Sequence, residues 1–111
     1  MQRDLPSERR IAVRKQVKIP IKYQVDSVVH GVLTHDVSSG GICFIANHFL
    51  AKAARIPLTL AFEFLDYPLQ VMTHVAWVAS MPYSDQYKIG IEFRDMSPFY
   101  KSRITDYINL Q

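Results

Sequence analysis

Two short stretches of this sequence hold residues whose types and spacing suit the capture of an anion. Arg9 and Arg10 are adjacent, and Arg14 follows Arg10 by four positions. A guanidinium group is a planar fork of donors that matches phosphate oxygens in pairs and also stacks on aromatic faces. Further along, His35-Asp36-Val37-Ser38-Ser39-Gly40-Gly41-Ile42-Cys43-Phe44 joins two apolar alternating runs. The Asp36 carboxylate and Ser38 hydroxyl can face a polar ligand, or they can cap their own turn. The adjacent Gly40 and Gly41 permit positive φ and a close approach of ligand to backbone. Taken singly, each stretch has an ordinary reading: a solvated basic tail and a capped tight corner.

Charge is distributed in favour of a local anionic partner. The 111 residues carry a net charge of +3. Residues 1–22 hold Arg3, Arg9, Arg10, Arg14, Lys15, Lys18 and Lys22 against Asp4 and Glu8, a net +5 that leaves −2 for the remainder. A broad nucleic-acid face would spread positive charge over the whole domain, so no nucleic-acid polymer is expected as partner. The chain is long enough for one domain with a real core. No apolar run approaches the roughly 20 residues that span a bilayer. The polar start, Met1 to Arg10, lacks the apolar segment of a secretory signal. A single cysteine, Cys43, excludes an internal disulfide; its neighbours Ile42 and Phe44 mark it as a small buried hydrophobe. A cytoplasmic location is expected.

The elements that must position these residues are mostly strands. Residues 1–15 are expected as a flexible basic arm, and residues 16–111 as the folded domain. Val17, Ile19, Ile21, Tyr23 and Val25 alternate with polar residues, a half-buried strand in which Pro20 points to an edge or a bulge. After a turn at Asp26-Ser27, a strand over Val28–Val37 is predicted, with Gly31 as a bend. Gly41 to Ala46, Leu58 to Phe64, Leu69 to Ala79 and Tyr87 to Phe93 supply four more, with an irregular link through Asn47 to Ile56. Ser97 and Pro98 are an N-cap and first-turn proline for an amphipathic helix over about 97–110. Its stripe of Tyr100, Ile104, Tyr107 and Ile108 suits an open end of a sheet system. Six short antiparallel strands and a terminal helix suggest a small barrel, since closure removes exposed edges.

The pairing of the two polar stretches is more specific than either alone. Arg10-Ile11-Ala12-Val13-Arg14 reads RxxxR and Asp36-Val37-Ser38-Ser39-Gly40-Gly41 reads DxSxxG, in that order and flanking the first strands. The combination resembles the PilZ domain family, bacterial receptors for cyclic di-GMP. Tyr87-Lys88-Ile89-Gly90-Ile91-Glu92-Phe93, followed by Asp95-Met96-Ser97, looks like that family's last strand and its exit to the helix. The resemblance runs from about Glu8 to the terminal helix and departs at no motif position. It implies an all-β fold, a six-stranded antiparallel PilZ-type barrel with a C-terminal α-helix. It also implies ligand roles for Arg10, Arg14, Asp36, Ser38 and Gly41, with Gly40 allowing close approach and Arg9 as an extra stacking or phosphate residue. Trp77, the only tryptophan, matches Val71 and Val75 in phase and reads as core, although an aromatic near this place in similar proteins can stack on a guanine.

Other chemistries find little support. His30, His35, His48 and His74 are scattered, with no His-x₃-His or Cys-x₂-Cys spacing, so neither a metal nor a cofactor is expected. No paired carboxylates, nucleophile elbow or phosphate-binding loop appears, and the chain is not expected to be an enzyme. The leading expectation is a cyclic di-GMP receptor, monomer or weak homodimer, acting through an unidentified downstream protein in motility or biofilm control. The alternative is a nucleotide-independent adaptor in pilus or flagellar control, a version whose members usually lack the arginines and DxSxxG. A barrel that binds single-stranded nucleic acid is a third reading, weakened by the negative remainder of the chain.

Overall fold

The computed structural model describes residues 15–111. In chain order its elements are β1 (Pro20–Val25), β2 (Val28–Leu33), β3 (Asp36–Val37), β4 (Gly41–Ala46), β5 (Arg55–Leu60), β6 (Leu69–Ser80), β7 (Tyr87–Phe93) and α1 (Pro98–Asn109). All strand pairings are antiparallel, in the order β2-β1-β5-β6-β7-β4-β3. β2 and β3 are successive stretches of one bent strand, so the order returns to its start and a six-stranded barrel closes.

Closure happens over two residues. The Thr34 amide donates to Ile19 O (3.0 Å), and the His35 amide donates to Cys43 O (2.6 Å). Consecutive amides thus serve strands on opposite sides of the seam. Thr34 is fully buried and adds its hydroxyl, which accepts from Ile19 N at 2.8 Å and donates to Val17 O. The bend therefore lies at Thr34–His35 and not at the expected Gly31, which stays paired with Lys22.

The hairpin before it is tight. Val25 pairs with Val28, and both turn residues, Asp26 (φ 50°) and Ser27 (φ 68°), are left-handed. Two such residues are what a type I′ turn needs to match strand twist. Pro20 is exposed at the first position of β1, where its missing N–H costs little, and β1 is paired on both sides instead of lying at an edge.

Alternation predicted a strand over 58–64, whereas β5 ends at Leu60. Phe62 and Phe64 keep the apolar rhythm for another reason: their rings pack against Tyr107 of α1, at centroid distances of 5.9 and 5.4 Å. The helix matches expectation. Ser97 accepts from Tyr100 N (3.3 Å), Pro98 opens the first turn, and Ile104 and Ile108 enter the core beside Ile19, Ile21, Leu60 and Ile91. Lys15, the last residue of the expected arm, is bridged to Val37; residues 1–14 lie outside the described residues.

α1 covers one mouth of the barrel and an aromatic cluster fills the other. Tyr23 stacks on His30 (5.2 Å), His30 lies 4.3 Å from His48, and the Tyr23 hydroxyl is 3.1 Å from His48 Nε2. Burial pushes the Tyr23 phenol up to about 12. Burial, and secondarily the His30 imidazole, hold His48 below the ordinary histidine value.

Two predictions follow from the seam and this cluster. Thr34→Val keeps the side-chain shape but leaves Ile19 N and Val17 O without their partner, so a loss of about 1–3 kcal/mol is expected. It is read as a lower urea midpoint at unchanged slope, and an unchanged midpoint would refute the role of Thr34. For His48 the depressed folded value means that the unfolded chain takes up a proton first. Stability is therefore fully present above about pH 6.5 and is lost as pH falls through the folded value. His48→Gln is expected to flatten the fall in unfolding midpoint between about pH 7 and 5; an identical slope in variant and parent would contradict this.

Candidate functional site

Antiparallel register assembles the polar corner with residues far away in sequence. Asp36 pairs with Cys43, Cys43 with Gly90, and Gly90 with Trp77. Paired residues share a face, so these four form one row across β3, β4, β7 and β6 on the outside of the barrel. The alternate row, Val37, Ile42 and Ile91, points into the core. Three inter-strand spacings make the outer row about 14 Å long. Beside it runs a second row, Gly41, Glu92, His74 and Arg55, in which His74 Nε2 lies 2.9 Å from Glu92 Oε1.

Trp77 joins the outer row because β6 is irregular. The register shifts between Val75 and Trp77, so Val75 faces the core while Trp77 turns outward and is 43% exposed. This corrects the core reading drawn from its phase: one bulge resets a period-two pattern. The indole lies over Gly90, where any Cβ would overlap its ring. A glycine inside a strand run signals this kind of close approach, and Gly90 was the available sequence clue.

Ser38 organises the hydrogen bonds of the Asp36–Gly41 corner. Ser38 is buried; its Oγ accepts from the amides of Gly40 and Gly41, both at 3.2 Å, and donates to Gly41 O (3.3 Å). Its backbone amide also donates to Gly41 O at 2.9 Å. Ser38 thus shapes the corner and has no hydroxyl capacity turned to solvent. Asp36 is different. Its side chain is 14% exposed, and Oδ2 lies 3.4 Å from His35 Nδ1. Neither glycine uses positive φ. Gly41 is required for another reason, since a Cβ there would overlap the carbonyl oxygen of Ile91; a Cβ on Gly40 would meet Ser38 Oγ at 3.9 Å, an ordinary contact.

Arg9, Arg10 and Arg14 lie outside the described residues. The residue after Arg14 does not. Lys15 N donates to Val37 O (3.1 Å) and Val37 N donates to Lys15 O (2.9 Å), so the chain enters the fold between Asp36 and Ser38. Sequence reasoning missed this bridge, and also His35, which the bend turns toward Asp36. Of the four histidines, His30 meets His48, while His35 meets Asp36 and His74 meets Glu92.

A closed six-stranded antiparallel barrel with one C-terminal helix is the architecture of a PilZ-type domain. The chain belongs to the PilZ domain family, whose pattern matches residues 7–110. That family comprises cyclic di-GMP receptors and adaptors. No curated protein matches the chain in sequence. Among solved structures, that of the Bacillus subtilis inhibitor of motility (MotI/DgrA) is similar, with a TM-score of 0.76 and 17% identity. The match covers 96% of this chain and 50% of that one, so this chain spans half of that protein's length. Among the described residues, no helix is long and apolar enough to cross a membrane.

The two glycines of the corner are expected to respond differently to one methyl group. Gly41→Ala forces β4 away from β7 and should cost more than about 3 kcal/mol. Gly40→Ala should stay within about 0.5 kcal/mol. Chemical unfolding of both variants checks this, and equal effects would contradict the close approach at Gly41.

Proposed function

We propose that this chain is a cytoplasmic, non-catalytic receptor for cyclic di-GMP that signals through a partner protein. The observation that carries the reading is the Lys15–Val37 bridge, which joins the RxxxR segment to the backbone of the DxSxxG corner. Family membership and the unaltered motifs support it. Cyclic di-GMP offers two phosphates and two guanines, so its pocket needs cationic forks and both edge and face recognition. Arg10 and Arg14 clamp a phosphate or the O6/N7 edge of a guanine. Arg9 adds a phosphate or stacking contact. Asp36 accepts from the N1–H and N2–H₂ edge of a guanine. Ser38 acts through the turn it caps, and Gly40 and Gly41 let the ligand near the backbone. Trp77, an exposed indole at the far end of the row, offers a face for the second guanine.

In this reading the ligand neutralises the arginines and draws their segment over the Asp36–Gly41 corner. The surface offered to a downstream protein changes accordingly, a switch of the kind driven by a local electrostatic event. The similar Bacillus subtilis structure is that of a motility inhibitor, and we assign this chain to motility control as a monomer or weak homodimer.

Calorimetric titration of the folded chain tests the proposal, with affinity and stoichiometry read together. Arg10→Ala, Arg14→Ala and Asp36→Ala should each weaken binding roughly ten- to a hundredfold, since charge-assisted contacts contribute about 1.5–3 kcal/mol. No binding by the parent at roughly tens of micromolar ligand would end the receptor reading. Partner capture that persists in the arginine variants without nucleotide would favour the adaptor.

A further inference from the structure

The corner also brings together three chemically different metal-binding groups. His35 Nδ1, a carboxylate oxygen of Asp36 and Cys43 Sγ all lie within 4.8 Å of one another. The nearest pair, His35 Nδ1 and Asp36 Oδ2, is 3.4 Å apart. Two independent features of the fold produce this. Asp36 and Cys43 are directly paired across β3 and β4, which places their Cβ atoms about 4.5–5.5 Å apart on the outer face. The bend before β3 then breaks strand alternation, so His35 and Asp36 turn to the same side although adjacent in sequence.

We propose that His35, Asp36 and Cys43 form a site for zinc, or another borderline divalent transition ion, with three protein ligands and an open fourth position. A set of one sulfur, one nitrogen and one oxygen donor matches zinc, whereas magnesium and calcium take oxygen alone. Bonds of about 2.0–2.3 Å at tetrahedral angles separate donors by roughly 3.3–3.8 Å. The closest pair already satisfies that spacing, and the widest closes by about 1 Å through side-chain rotation. Cys43 is buried at 1% exposure, and its pairing with Asp36 sets it in the row that faces away from Val37 and Ile42. The side chains of His35 and Asp36 are 32% and 14% exposed, so the fourth position opens to solvent and takes water or an anionic oxygen. Binding releases the thiol proton to water, and affinity rises with pH until the thiolate dominates. No ligand-spacing motif announces such a site because the donors meet across strands. The assignment shares only Asp36 with the nucleotide reading and does not rest on it.

Cobalt(II) added to the purified chain without nucleotide is the test, with far-UV circular dichroism and thermal unfolding recorded alongside. A thiolate-to-cobalt charge-transfer band, visible bands of tetrahedral strength, saturation at one equivalent and displacement by zinc are expected. Cys43→Ser should abolish the charge-transfer band. His35→Ala, at a partly exposed position that need not disturb folding, should weaken cobalt affinity at least about tenfold, since even outer partners of metal ligands contribute that much. His74→Ala, in the neighbouring row, should bind as the parent does. Absence of the band in the folded parent overturns the proposal. So does its survival in folded Cys43→Ser, or equal loss in His74→Ala.

Discussion

Closure of this barrel depends on the handover at Thr34 and His35. One strand must pair with β1 along its first half and with β4 along its second, and the change of partner occurs between two consecutive amides. A strand that turns away from a neighbour leaves donors and acceptors without partners, which is expensive inside a protein. Thr34 resolves this with a side chain that accepts from one backbone group and donates to another. The same change of direction gives Asp36 and His35 their place on the outer surface. Architecture and candidate chemistry therefore share one local event.

The outer row shows how little side chain is needed to make a shelf when the backbone is well controlled. Gly41 and Gly90 contribute by having no Cβ: one lets β4 approach β7 closely, the other seats the Trp77 indole. The bulge at Val75–Trp77 costs ladder regularity and in return puts a large aromatic surface outside. Ser38 spends its hydrogen bonds within its own corner, so its position in the motif reflects the shape of the turn. Asp36 supplies the carboxylate of that corner, 3.4 Å from His35 Nδ1.

Much of the architecture was legible in the sequence because period-two burial is strict wherever one face is core. The runs through Ile21 and Tyr23, Ile42 and Phe44, and Ile89 and Ile91 gave correct strands, and Ser97-Pro98 gave the helix start. The failures share a cause: the deciding contact was made by a distant element. Phe62 and Phe64 alternate like strand residues but answer to Tyr107 on the helix. Trp77 kept the phase of Val75 in sequence and lost it in space to a bulge. Cys43 is buried, as its apolar neighbours implied, and register adds that it stands in the row of Asp36 and Gly90. Of the candidate site, the DxSxxG corner was visible as a motif, while the row that extends it needed register.

The Lys15–Val37 bridge also fixes a tether. Both backbone groups of Lys15 are bonded to a residue whose side chain is fully buried, so the anchor point is part of the core structure. From that point, five residues lead back to Arg10, and a chain of that length reaches at most about 17 Å. The outer row is about 14 Å long. The two lengths are comparable, so covalent geometry alone confines Arg10 to the neighbourhood of this row. The nearness of those cations to the row is thus a matter of chain connectivity, and it is independent of how dilute the protein is.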